Sequence, residues 1–401
     1  MAMLKLLIIF IIIIALLLKR KPIGPVMLVG SLLLGLFYQM APVDFGKTLL
    51  LSITDYNTIS FVVVIIFVML LEAVMSECGS LDKMLSSLGG LFCNRRVNIA
   101  VPPALIGLLP SAGGALFSAP LVRQAAGRYL SNHDTAFINN YYRHIIEIFF
   151  PTYPAVLLAC ALSHTPVATF MLALFPFTLL HIVIGNFLLK KVPKQIEPEE
   201  NHPSRLVYFK EFISGTWPLL LLIFLILAFS VPIHWAASGC FMAAWLFNKI
   251  PLKKMGHLAK ASLNWKIVLM TVSVMLFKDV LAASGAVQTL PELLAELPIP
   301  QFIVFALMFL LVGAITGMML PTIAMCLPLA LTSMPEGGLP LIAMLCVFSH
   351  IGNMISPMHL CVAISCQYFN SPFTRQFKMS IIPYGIIGLV AIAVYLIANA
   401  I

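Results

Sequence analysis

The sequence predicts an all-α polytopic membrane protein built from two inverted repeats, each with five transmembrane helices and one re-entrant hairpin. Three observations predict it: the composition, the placing of apolar runs against basic residues, and a self-similarity at an offset of 206 residues.

Of 401 residues, 61% are hydrophobic and only 10% charged, and the mean hydropathy is +1.03. Such a balance excludes a soluble globular protein. Apolar runs long enough to cross a hydrocarbon core of roughly 30 Å recur along the chain, and no polar block is large enough to fold apart from them. The first run, "LKLLIIFIIIIALLL", is followed by "KRK" but by no small-residue cleavage site, so it is expected to stay as a transmembrane helix. The eight cysteines form no CxxC pair and lie mostly in apolar runs, which signals neither disulfides nor a metal cluster.

In the first half, residues 1–189, helices are expected at about 4–18, 24–41, 58–78, 133–163 and 167–189. A linker over 190–213 leads to the second half, 214–401, with helices at about 214–232, 234–248, 267–286, 338–369 and 381–401. Two further apolar stretches, about 98–129 and 301–333, are broken in the middle. If both return to the side they entered from, 21 of the 24 Lys and Arg fall on one face, among them Lys19, Arg20, Lys21, Arg95, Arg96, Lys190, Lys191, Lys253, Lys254, Arg375 and Lys378. That face is assigned to the cytoplasm and both chain ends to the outside. The net charge of +9 is then mostly topology, and no nucleic-acid partner is expected.

The repeat rests on two matches at one offset. "VMLLEAVMSECGSL" from Val68 aligns with "VMLFKDVLAASGAV" from Val274, and "HIIEIFFPTYPAVLLAC" from His144 aligns with "HIGNMISPMHLCVAISC" from His350. Between them "GLLPSAGGALFSAPL" faces "ITGMMLPTIAMCLPLA", again a broken stretch. An odd number of crossings per half turns the second copy upside down, as in many secondary transporters.

The breaks point to function because unpaired backbone groups are tolerated at membrane depth only when buried in protein or lining a cavity. Pro110, Ser111, Ala112, Gly113 and Gly114 are expected at one hairpin tip, Pro321 and Thr322 at the other. Free N–H donors at half-helix N-termini suit an anion. The long helices break at Pro151 and Pro154, around Thr152, and at Pro357, beside Ser356.

Asn139, Arg143 and Glu147 fall at helical spacing on one face. Arg143 and Glu147 suit an ion pair near the membrane surface, but a carboxylate one turn before Pro151 also suits ion coupling. The repeat sets Asn353 at the position of Glu147 and pairs His144 with His350, in proton relay or shared scaffolding. Glu72 and Lys278 occupy matched positions and could pair, and Asp279 is a further candidate for coupling or for a structural role.

"GLLPSAGGALFSAPLV", "NNYYRHIIEIFFPTYP" and "ISPMHLCVAISCQYF" resemble the hallmark segments of an uncharacterised prokaryotic membrane family, domain of unknown function 401. That family is grouped with the ion transporter superfamily, beside divalent-anion/sodium symporters, gluconate permeases, arsenite pumps and TRAP-type large subunits. The resemblance implies a prokaryotic plasma membrane, a scaffold domain, a transport domain with two hairpins and two broken helices, a homodimer, and an elevator motion. Where dicarboxylate symporters carry Ser-Asn-Thr tips, this sequence has Ser111-Ala112-Gly113 and Pro321-Thr322-Ile323, so no solute is inherited.

The expectation is therefore a secondary active transporter, not an enzyme, driven by H⁺ or Na⁺ without a cofactor and moving a small organic anion such as a carboxylate. Solute would be held by Ser111, Ala112, Gly113, Gly114, Pro321, Thr322, Thr152, Asn353 and Ser356, with Glu147, His144 and Asp279 coupling the ion. The alternative is a cation/proton antiporter using Glu147 and Asp279. No nucleotide-binding loop is present, and "HIIE" lacks the second histidine of a zinc protease motif.

Overall fold

A computed structural model describes residues 2–19, 21–91, 94–108, 114–127, 129–194, 204–286 and 298–400. Among these residues the protein is 82% helical and without strands. Its outer surface carries Leu36, Phe187, Phe247, Ile382 and Leu389, while Arg143, His144, Glu147, His181, His350 and Asn353 are buried. Apolar outside and polar inside is the arrangement a bilayer selects, and five helical stretches are long and apolar enough to cross one. The chain is a membrane protein.

The first half contains α1 (Ala2–Leu18), α2 (Ile23–Phe37), α3 (Pro42–Thr54), α4 (Tyr56–Glu77), α5 (Ser80–Leu91), α6 (Arg95–Ile106), α7 (Gly114–Ala126), α8 (Asn132–Arg143), α9 (Pro154–Ser163) and α10 (Val167–Leu188). The second contains α11 (Arg205–Phe229), α12 (Ile233–Phe247), α13 (Leu252–Ser262), α14 (Trp265–Ala283), α15 (Gln301–Thr316), α16 (Met319–Ser333), α17 (Gly338–Ile355), α18 (Leu360–Tyr368) and α19 (Phe373–Ala398). A 3₁₀ turn, Pro335–Gly337, joins α16 to α17.

The offset of 206 reappears in helix boundaries. It separates the first residues of α6 and α15, of α8 and α17, of α9 and α18, and of α10 and α19. It also separates left-handed residues, Gly79 (φ 63°) from Gly285 (φ 69°) and His164 (φ 52°) from Asn370 (φ 50°). Helix partners are exchanged between halves: α2 packs on α14 as α4 packs on α12, and α9 packs on α16 as α7 packs on α18.

Several elements differ from the sequence expectation. The short helices α3, α5 and α13 lie where only connections were expected; each is amphipathic, which a hydropathy window for spans does not detect. The helices α11 and α19 begin at Arg205 and Phe373, extending through Lys210, Glu211, Arg375 and Lys378 before the apolar run. Hydropathy marks the hydrocarbon length, whereas helical hydrogen bonding continues past it.

The second broken stretch opens earlier than its proline suggests. Its interruption is Gly317–Met318, with Gly317 at φ 66°, and Pro321 and Thr322 already stand in the first turn of α16. Proline is accepted there because first-turn amides have no helical acceptor to lose. The tip expected in the first half, Pro110 to Gly113, lies outside the described residues, and Gly114 opens α7.

Candidate functional site

The long helix of the first half does not run on to Pro151. It ends at Arg143, and residues 144–153 continue as tight turns, with Glu147 N donating to His144 O at 3.2 Å and Phe149 N to Ile146 O at 3.2 Å. The expected face of Asn139, Arg143 and Glu147 therefore does not form: Glu147 leaves the helical register. Asn139 turns to a separate network, accepting from Ser118 Oγ at 2.7 Å and donating to Ala115 O and Ser365 Oγ, each at 3.0 Å.

The interruption in the second half is shorter, Ser356 to His359 between α17 and α18. Both are closed by the same device. In the first, Thr152 Oγ1 donates to Leu108 O at 2.9 Å and Tyr153 OH to Gly107 O at 2.6 Å. In the second, Ser356 Oγ donates to Ala314 O at 2.6 Å and His359 Nδ1 to Gly317 O at 3.1 Å. Carbonyls at the C-terminal ends of α6 and α15, which have no helical donor, are thus satisfied by the interrupted helices.

Two glycines permit this closeness. A Cβ on Gly107 would run into the Arg143 carbonyl, and one on Gly313 would lie 2.9 Å from the Ser349 carbonyl. Both pairs are again separated by 206 residues.

Between the interruptions sits a buried cluster. Asn353 Nδ2 donates to Glu147 Oε1 at 3.5 Å, His350 Nδ1 lies 3.8 Å from Glu147 Oε2, and His359 Nδ1 is 2.7 Å from Asn353 Oδ1. His359 Nε2 reaches His144 Nε2 at 3.1 Å, with Cys361 within hydrogen-bonding reach of both imidazoles. Arg143 interacts with Cys361, Tyr153 and Glu147, and Glu72, from α4, lies within reach of the Arg143 charge. Behind His350 stand the His181 ring at 5.3 Å and the Tyr384 ring at 6.0 Å. Among the described residues, Glu147 Oε2, both ring nitrogens of His350 and Nε2 of His181 are buried without a hydrogen-bond partner. Unsatisfied buried polar atoms are uncommon, and a row of them calls for a functional explanation.

The structure thus gathers seven of the residues singled out in the sequence: Glu72, Arg143, His144, Glu147, His350, Asn353 and, one turn from it, Ser356. Thr152 and Ser356 spend their hydroxyls on backbone carbonyls, and Thr322 Oγ1 bonds Met318 O at 3.1 Å. Asp279 stands apart, paired with Lys278 at 3.1 Å, its side chain 29% exposed; Glu72 and Lys278 do not pair. Ser111, Ala112 and Gly113 lie outside the described residues. Sequence reasoning missed His359, Cys361 and His181. His359 carried one usable signal: it stands 206 residues after Tyr153, beside Pro357.

One family profile, described as "Protein of unknown function (DUF401)", matches residues 2–398. The chain belongs to that family. No curated protein matches it. In this DUF401 chain the cluster lies where helices of both halves are interrupted, and a separate cavity opens elsewhere. That cavity, of about 680 Å³, is lined at one end of the molecule by residues including Tyr56, Asn57, His164, Ser230 and His234, and by none of the cluster.

Proposed function

We propose that the protein is a secondary active transporter of a small organic anion, such as a carboxylate, coupled to an ion gradient. The observation that carries this reading is the meeting of the two interrupted helices at Glu147 and Asn353, with buried partnerless groups of Glu147 and His350 beside them. Ionisable groups inside a membrane protein are costly and mark ion or solute paths. Arg143, and the helix N-termini of α9 and α18 that follow the interruptions, supply positive potential for an anion. Imidazoles and a carboxylate exchange protons readily, whereas Na⁺ prefers a shell of oxygens, so of the two candidate ions H⁺ is the better match.

In this reading the halves are inverted copies related to the ion transporter superfamily, and α6–α7 and α15–α16 are re-entrant hairpins. A transport domain containing the interrupted helices moves, elevator-fashion, against a scaffold in a homodimer in a prokaryotic plasma membrane. The basic face is cytoplasmic and both termini are external. The ends of α4, α9, α10, α11 and α12 that line the large cavity then all fall on the external side, where it serves as an outer vestibule. Thr322, Ser111 and their neighbours bind solute only in another state of the cycle, since Thr322 is buried here.

The test uses purified protein in proteoliposomes given a panel of carboxylates with imposed H⁺ or Na⁺ gradients. Gradient-driven uptake that Glu147→Gln abolishes is the expected result. Ion exchange without any organic solute would replace the reading by cation/proton antiport, and failure of both under every gradient would overturn transport.

A further inference from the structure

His144 Nε2, His359 Nε2 and the Cys361 sulfur, all buried, lie within 4.8 Å of one another. Their hydrogen bonds fix what the two imidazoles present to each other. His144 Nδ1 is 2.7 Å from the Asn140 carbonyl oxygen and His359 Nδ1 is 3.1 Å from the Gly317 carbonyl oxygen. A carbonyl can only accept, so both Nδ1 atoms carry the proton. In neutral rings both Nε2 atoms are then bare lone pairs, and they face each other at 3.1 Å. Two facing lone pairs repel; a cation between them converts repulsion into ligation.

We propose that His144, His359 and Cys361 form a binding site for one borderline transition-metal dication of the Zn²⁺ type. In tetrahedral zinc with bonds of about 2.0–2.1 Å, two imidazole nitrogens lie roughly 3.3 Å apart, close to the spacing seen. The sulfur completes a two-nitrogen, one-sulfur set that zinc prefers to the hard cations. Each histidine already donates its other ring N–H to an oxygen, the second-shell arrangement of metal-bound imidazoles. His144 comes from the first interruption, His359 from the second and Cys361 from the first turn of α18, so one ion ties the two interruptions together. The inference does not depend on transport of an anion.

The test is titration of the purified full-length protein with Co²⁺ alone, followed by displacement with Zn²⁺. The expected result is one equivalent bound, with intense d–d bands of tetrahedral Co²⁺ and a sulfur-to-metal charge-transfer band that Cys361→Ser removes and Cys366→Ser leaves unchanged. Asn353→Ala, which removes a second-shell acceptor of His359, should weaken binding roughly 10–100-fold. X-ray absorption of the Zn²⁺-loaded wild type, which needs no variant to fold, should give one sulfur at about 2.3 Å beside nitrogens at about 2.0–2.1 Å. A shell without sulfur, a charge-transfer band that survives Cys361→Ser, or no stoichiometric metal would overturn the proposal; the last would leave a shared proton between the two histidines instead.

Discussion

The two helix interruptions solve one backbone problem with different chemistry. The first is ten residues long, His144 to Tyr153, and the second only four, Ser356 to His359, yet each hands two donors to the loose carbonyls at the ends of α6 and α15 respectively. At matched positions the first half carries Arg143, His144 and Glu147 around its interruption, whereas the second carries Ser349, His350 and Asn353 on the helix that leads into its own. Backbone satisfaction is thus kept in both halves while charge is confined to one. The reason is in the geometry: Glu147 and Asn353 approach to 3.5 Å, and two carboxylates there could not both remain ionised. An amide at one position lets the other hold a charge.

The largest expected effect separates the two interruptions directly. Glu147→Gln should reduce gradient-driven uptake to background, while Asn353→Gln should leave a measurable rate. The exchange variant E147N/N353E tests whether the position of the carboxylate matters. It should fail to restore uptake, because the carboxylate would no longer stand 3.8 Å from the His350 nitrogen, as it does at position 147. Restored uptake would make the two interruptions interchangeable and remove the asymmetry argued above.

Much of this was legible in the sequence, because the features involved are local or periodic. The hydrophobic period placed α2, α10 and α12 to within a few residues of their ends, and the pairing of Glu147 with Asn353 was visible as one offset. What was not legible depends on contacts across the chain. Nothing local says that α8 stops at Arg143, whose carbonyl meets Gly107, far back in the sequence. Likewise the prolines drew attention to Pro321, whereas the turn was made by Gly317, whose left-handed conformation leaves a weaker mark than proline. His359 and Cys361 looked like ordinary residues of an apolar helix until His144 was brought to them from the other half.

A smaller effect compares the glycines that let the interruptions close. Gly107→Ala and Gly313→Ala each force a methyl group against main chain, which cannot rotate away as a side chain does. Overpacking of this kind costs about 1–3 kcal/mol. The Gly107 methyl would overlap the Arg143 carbonyl, while the Gly313 methyl would sit 2.9 Å from the Ser349 carbonyl. The first variant should therefore lose more thermal stability in detergent than the second. Equal shifts would mean that the two approaches are equally tight in solution.

The hydroxyls come next. Ser356 Oγ donates to Ala314 O and accepts from Met358 N at 3.0 Å, so Ser356→Ala removes two bonds. Thr152→Val removes one, to Leu108 O, and keeps the shape of the side chain. With about 1 kcal/mol per bond, the serine variant should be destabilised about twice as much as the threonine variant in denaturation followed by helical circular dichroism. The shorter interruption depends more on each group it has, which is the same asymmetry read as stability.

The smallest effect falls outside both interruptions and marks where the site ends. Asp279 is a carboxylate like Glu147 and also lies in an apolar run, but its partner is the adjacent Lys278 and its side chain is partly exposed. The sequence makes Glu147 the first candidate for coupling and leaves Asp279 between coupling and a structural role; the surroundings separate them further. A partly exposed pair between sequence neighbours contributes modestly, and Lys278 and Asp279 are linked to each other and not to the cluster. Asp279→Asn should accordingly leave both uptake and its dependence on the imposed gradient unchanged in the assay that Glu147→Gln silences. If Asp279→Asn abolished coupling as well, the ion path would have to extend from the cluster to α14, and the confinement of charge to the first interruption would no longer hold.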